Sequence, residues 1–443
     1  QTVFEYVLAR SFVAGAGRLS TYVLERQNSL FVRAKLWSAL RYLRDTEINT
    51  YERELREIWD AQGLRRHLRL LLIEFLGEQP DPIPWEVLAF EQVINSPDFR
   101  LNALKAIVGS AAWFDNFART AIPAAMAGSD SEIKQAIRIL IAAWKHAPQE
   151  VIRLLNDQWL QDAERDYATW AVLDGRPTWD EETLAMVRTV LARTAIGTWE
   201  VDYTASSIAV EQPEIAFQLI RAKLDYLLSQ VKDPPPTDPY PSDGTEEEKM
   251  LWALKDAPGK PIEKLFEASE WNSLPAMAEA EPRKFMEGLW PWYDDALKEL
   301  QRRLTDNSVD HLYPGQYSLR LDVGDDAGDR IGRDEPLLSS LVEAVESVAR
   351  NEPDYFAVWA QAQGGFELMA VQRLIAQGMA SAPETYAARA LAWLFEDPRR
   401  LQLGNSSATR QTTSFLVRSV APFWSDDEIA EFEKRLGAFR PPV

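Results

Sequence analysis

From Leu30 to Arg435 the chain is a succession of amphipathic segments, each cut by a proline or glycine turn. This rhythm constrains the fold more than any single motif. A segment of roughly 10–16 residues with apolar positions at helical spacing forms a helix but cannot bury its apolar face alone. Short turns bring successive helices together as antiparallel hairpins, and stacked hairpins make an α-solenoid. Leu30–Arg44 is the clearest case, with Leu36, Leu40 and Leu43 on one face. The expected class is therefore all-α: an α-solenoid of irregular HEAT/TPR-like hairpins, with no strict identity between repeats.

Within this pattern Ala111–Met126 contains Pro123, which predicts a kink or two short helices. Ser131 is the expected cap of a helix running to Trp144, and Ser425 with Glu428 three residues on predicts a capped last helix. In the middle of the chain the expected helices run Glu181–Thr194 and then Glu214–Leu228. Two stretches break the rhythm. Between Pro234 and Pro241 lie five prolines, which forbid helix and favour a stiff, extended spacer. A surface linker and a proline-motif docking site are both open there. The expected division is a first helical block over 1–230, a linker over 231–246 and a second block over 247–443. Residues 306–336 form an irregular insertion in the second block, and the alternation of Gln316–Val323 fits a short strand.

Composition narrows the class. The chain has 443 residues, more than one compact core holds, and an apolar fraction of 46%, which excludes disorder throughout. The 16 tryptophans suit the gaps between non-identical hairpins. Cysteine is absent, which excludes disulfides and thiolate metal sites and fits a cytoplasmic protein. No stretch has the apolar length of a membrane span. The start lacks the pattern of a signal peptide and opens in mid-helix pattern, so Gln1 reads as an artificial start and the chain as a piece of a longer protein. The net charge of −20 is uneven: residues 1–76 carry 12 Lys+Arg against 9 Asp+Glu, so the acidic excess lies wholly in the remainder. Such a chain repels polyanions, and nucleic acid is not an expected partner.

Catalytic motifs are not found. Gly259-Lys260 lacks the upstream glycine of a phosphate loop and is followed by Pro261. His67, His146 and His311 share no spacing that would place two ligands on one helix face. Asp322, Asp325, Asp326 and Asp329 make an oxygen-rich loop, yet their spacing departs from that of a calcium loop, and a solvated acidic loop is the simpler reading. No catalytic residue, metal or cofactor is therefore assigned to this chain. Two groups suit a binding surface. Trp290, Trp292 and Tyr293, with Tyr313 and Tyr317 soon after, would be anchors if exposed and core if packed. Arg399 and Arg400, before the polar stretch Gly404–Thr413, would either face a partner or pair with nearby acids.

The segments VFEYVLARSFV (Val3–Val13), LFVRAKLWSALRYLRD (Leu30–Asp45), YERELREIWD (Tyr51–Asp60) and LRRHLRLLLIEFLGEQPDP (Leu64–Pro82) resemble the region just after the ATPase core of bacterial STAND NTPases of the NACHT-like, antiviral type. ALAWLFEDPRRLQLG (Ala390–Gly404) and VAPFWSDDEIAEFEKRL (Val420–Leu436) are similar to the distal part of the same helical arrays. The likeness covers residues 1–82 and 382–436 and rests on packing motifs. It implies a non-catalytic sensor arm that recognises a foreign protein, such as one of phage, and releases an upstream NTPase module. ATP and magnesium would belong to that module. A constitutive scaffold, and an enzyme with a site in the 306–336 insertion, remain the alternatives.

Overall fold

The computed structural model describes residues 18–29, 31–193, 196–232, 245, 265, 271–306, 336–404 and 410–439. Among them the regular structure is helical, with no strand or sheet, as the rhythm of the sequence predicts. Residues 307–335 of the insertion with its expected strand, residues 233–244 of the proline-rich linker, Tyr313, Tyr317, His311 and the Asp322–Asp329 loop lie outside the described residues.

The chain divides into two compact units, Gln1–Val190 and Leu191–Val443. The first unit holds α1 (Leu19–Glu25), α2 (Val32–Thr46), α3 (Ile48–Trp59), α4 (Arg66–Gly77), α5 (Pro84–Ile94), α6 (Arg100–Ala106), α7 (Ala111–Phe117), α8 (Ala121–Met126), α9 (Asp130–Ala143), α10 (Pro148–Gln158), α11 (Asp166–Asp174) and α12 (Glu181–Leu191), whose last residue crosses the division. Many adjacent helices pair, and alternate helices also pack, α2 on α4, α4 on α6 and α9 on α11, while α6 packs across the two short helices onto α9. This second-neighbour stacking is how hairpins of an α-solenoid share a core. Pro123 separates α7 from α8 as expected, since its ring sits in the first turn of α8, where no amide hydrogen bond is lost. The cap of α9 is Ser129, not Ser131: the Ser129 amide and hydroxyl both donate to the Glu132 carboxylate, at 2.7 and 2.8 Å. The cap thus lies two residues earlier, because Ser129 has Glu132 three positions on.

The second unit holds α13 (Thr198–Ile208), α14 (Pro213–Lys232), α15 (Leu274–Ala280), α16 (Pro282–Asp306), α17 (Pro336–Asn351), α18 (Pro353–Gln363), α19 (Met369–Ser381), α20 (Pro383–Glu396), α21 (Gln411–Val420) and α22 (Asp426–Ala438). Here the stack runs from α15 and α16 to α17, α19 and α21. The expected boundary near residue 230 does not match this division. Helices α13 and α14 pair with each other, and α14 packs on α15 and α16. The proline-rich stretch therefore lies within the second unit's segment of chain. Asp202 of α13 fixes the same join, accepting from the Asn272 and Ser273 amides at 3.0 and 3.1 Å and from the Ser273 hydroxyl at the start of α15.

Tryptophan is the recurring fastener. Five indole N–H groups donate to backbone carbonyls on another helix: Trp113 to Leu76 at 3.0 Å, Trp144 to Val172 at 2.7 Å, Trp159 to Met126, Trp292 to Leu224 and Trp424 to Ala387, each at 2.9 Å. Leu76, Val172 and Met126 lie in the last turns of α4, α11 and α8, where carbonyls have no partner within their own helix. A bulky ring fills the gap between hairpins while its polar edge satisfies a helix end. By contrast, the buried indole N–H groups of Trp271, Trp359 and Trp393 have no partner. Replacing Trp159 with Phe strands the Met126 carbonyl and should cost about 1–3 kcal/mol. Trp359→Phe removes a donor that bonds nothing and should cost less. Chemical denaturation of the two variants measures the difference, and equal losses would show that the indole bond contributes nothing beyond ring packing.

Candidate functional site

The aromatic residues singled out from sequence are core, not surface. Trp292 and Tyr293 are fully buried and Trp290 nearly so. Trp290 stands edge-on to Trp359 at 4.9 Å and tilts against Tyr293 at 5.5 Å. Helix α16 carries these residues on the face that meets α14 and α17, so none of them presents a ring to a partner. The arginines are likewise engaged. Arg399 pairs with Asp397 and Glu367, at 2.7 and 2.6 Å. Arg400 is buried over the Trp393 ring and donates to Gln372 Oε1, the Trp393 and Gly364 carbonyls and Glu396. It ties the turn after α20 to α19 and to the end of α18. Of the sequence candidates, Tyr313 and Tyr317 lie outside the described residues.

Helix α13, which is missing from the expected succession, supplies a different surface. Trp199 is 61% exposed and Tyr203 is 64% exposed, and their rings stack 5.7 Å apart. Val210, 92% exposed, lies in the turn that follows the helix, eleven residues after Trp199. The opposite face buries Val201, Thr204 and Ala205. Among the described tryptophans Trp37 and Trp85 are half-buried, Trp199 is exposed, and the others are buried. The i, i+4 spacing of Trp199 and Tyr203 was the signal available in the sequence. It was masked because Trp, Tyr, Val and Thr are indifferent helix formers and the inward face is made of small residues.

Val210 leads directly into a cleft of about 640 Å³ between the start of α14 and the α15–α16 turn. Its floor is apolar: Pro213, Ile215, Phe217, Met277 and Phe285, with the two phenylalanine rings 5.2 Å apart. Gly288 closes the base, because a Cβ there would stand 2.3 Å from Phe217 Cε1 and hold α16 away from α14. The rim carries Glu211, Glu214, Glu281 and Glu287, all exposed. Its two cations are both occupied: Arg221 donates to the Gly288 carbonyl and pairs with Asp225, and Lys284 faces Glu281 at 3.6 Å. Between residues 194 and 220 the sequence holds four acids and no Lys or Arg.

No feature of catalytic or metal chemistry joins this surface. Among the described residues no group of His, Asp and Glu is arranged to hold a metal ion, and no helix is long and apolar enough to cross a membrane. His67 faces the Gln27 carbonyl at 3.1 Å, and His146 stands edge-on to Phe114. A smaller cleft in the first unit, at Pro97 and Leu101, is spanned by an Arg100–Glu132 ion pair at 2.8 Å. Arg176 is buried against the Trp179 ring with no hydrogen-bond partner for its guanidinium, and burial pushes its pKa down to about 9. No protein-family model matches the chain, and no curated protein or solved structure matches it.

Behind the exposed stripe sits Lys223, buried on α14 with its ammonium 4.6 Å from the Tyr226 ring. Burial pushes its pKa down to about 8, opposed by the charge of Glu200. Below that pH the lysine is protonated in both folded and unfolded states, and the folded state bears the full cost of burying the charge. Between pH 8 and the ordinary lysine value the folded form sheds its proton first, so stability rises with pH in that window. Thermal melts of wild type should show this rise. Lys223→Met should be more stable at neutral pH and lack it, and an unchanged slope in the variant would assign the titration to another group.

Proposed function

We propose that the chain is a protein-binding helical array that acts by recognition, as the target-sensing arm of a STAND-type NTPase in anti-phage defence. What carries the reading is the exposed Trp199–Tyr203 stack in a chain whose other described tryptophans are wholly or half covered. Exposed aromatic pairs on a rigid helix lose little side-chain entropy on binding and bury large area, which is why such residues dominate interface energetics. The helical stack of the second unit supports it by holding α13 rigid: the inward face is packed on α14, and Asp202 is bonded to the start of α15. The resemblance of residues 1–82 and 382–436 to STAND arrays supplies the biological context, with the upstream module as the intramolecular partner and the cytoplasm as the setting. In this reading nucleotide chemistry belongs to that module and this chain contributes binding alone.

A double variant, Trp199→Ala with Tyr203→Ala, removes two mostly exposed rings and should shift stability by no more than about 1 kcal/mol. In cells carrying the full-length protein, affinity capture with and without phage challenge should recover a phage protein that the double variant fails to hold. Raising the salt concentration should weaken the complex, because the surface around the stripe is acidic. A partner recovered equally from unchallenged cells would favour the constitutive scaffold instead.

A further inference from the structure

The cleft between α14 and the α15–α16 turn has the size of a ligand pocket and a specific chemistry. We infer that it receives a peptide segment of the partner in which one bulky apolar side chain is flanked by lysine or arginine. The inference rests on the reading that the chain binds protein, and it adds the class of partner that the site takes.

Three observations converge. First, the floor is aromatic and aliphatic, with Phe217 and Phe285 forming its walls, so the inserted group is apolar. Second, the rim is unbalanced in charge. Glu287 is paired with Arg283 and Glu281 with Lys284, but Glu211 and Glu214 face no cation among the described residues. These two carboxylates stand where the cleft opens, in a stretch without a single basic side chain from 194 to 220. A cationic flank would be attracted and oriented there, and an anionic one repelled. Third, the surface continues: Val210 and Glu211 are consecutive, so the aromatic stripe of α13 leads into the mouth of the cleft. The Trp199 and Tyr203 faces offer a cation–π seat for the same basic residues. The base is preformed, since Gly288 and Phe217 are in contact and Arg221 clasps the Gly288 carbonyl. Binding therefore needs little rearrangement.

The test uses the intact chain and fluorescence anisotropy with synthetic probes. One dye-labelled peptide carries a central tryptophan between lysine-rich flanks. A second has glutamate-rich flanks, and a third keeps the lysines but replaces the tryptophan with alanine. The first should bind, and the other two should bind at least about tenfold more weakly, a difference of 1.4 kcal/mol. Glu211→Gln with Glu214→Gln, both exposed positions, should weaken the first peptide by a similar factor with an unchanged melting curve. Equal binding of the acidic peptide would remove the electrostatic part of the inference, and equal binding of the alanine peptide would remove the apolar anchor. Unaltered binding to the double variant would place the contact elsewhere. If the Trp199/Tyr203 variant loses its cellular partner while the cleft variant keeps it, the protein-binding reading stands and the cleft assignment falls.

Discussion

The burial of large aromatic rings between successive helical pairs, with their polar edges tied to backbone carbonyls, is the interaction on which each unit depends. Helices of this length are marginal on their own, and their stability comes from packing. In consensus repeats identical hairpins meet with identical small residues. Here the hairpins differ, the gaps between them differ, and an indole fills each gap with more area than an aliphatic side chain can. The N–H then needs an acceptor, and the last-turn carbonyls of Leu76, Val172 and Met126 need a donor. At Val172 and Met126 one contact meets both needs, whereas the Leu76 carbonyl also accepts from the Gln79 amide at 3.1 Å.

Buried ionic nodes reinforce the same joins. Glu86 is fully buried at the start of α5, where it accepts from the Ile83 amide at 2.8 Å, from the Tyr51 hydroxyl and from Arg44. Desolvation and the Glu86 charge together push the Tyr51 phenol far above its ordinary value, so it remains a donor. Asp202 and Arg400 play the corresponding parts in the second unit, each with several protein partners. Paired and hydrogen-bonded charges of this kind contribute geometric definition more than raw stability, because desolvation offsets most of the Coulomb gain. They explain why Arg400 looked like a binding residue in the sequence. An arginine beside a proline and an acid reads the same whether it faces solvent or is folded inward.

The long helices were legible because their apolar period is strong: α2, α4, α17, α20 and α22 begin and end within a few residues of where capping residues, glycine and proline place them. Ser425 with Glu428 is the clearest such signal, and the Ser425 hydroxyl both accepts from the Glu428 amide and donates to its carboxylate. The same rule misplaced the cap of α9 by two residues, because two serines compete and Glu132 selects the earlier one. Helix α13 went unread because its inward residues, Val201, Thr204 and Ala205, are small and its outward ones are aromatic. The apolar period thus points both ways at once. The same ambiguity gives Trp290, Trp292 and Tyr293 the composition of an interface although their position is core.

By itself the sequence determined the class of this protein: periodic apolar positions with proline and glycine punctuation leave helical hairpins as the way to bury its apolar face. It also determined the acidic balance that makes a cationic partner favourable. Only the tertiary structure decided which tryptophans are fasteners and which one is exposed, because exposure depends on whether a neighbouring hairpin covers the ring. It decided the division at Val190 and Leu191 for the same reason: α14 packs on α15 and α16, segments more than forty residues further along the chain. Periodicity is a local property of the chain, whereas coverage belongs to pairs of segments that meet only in the folded state.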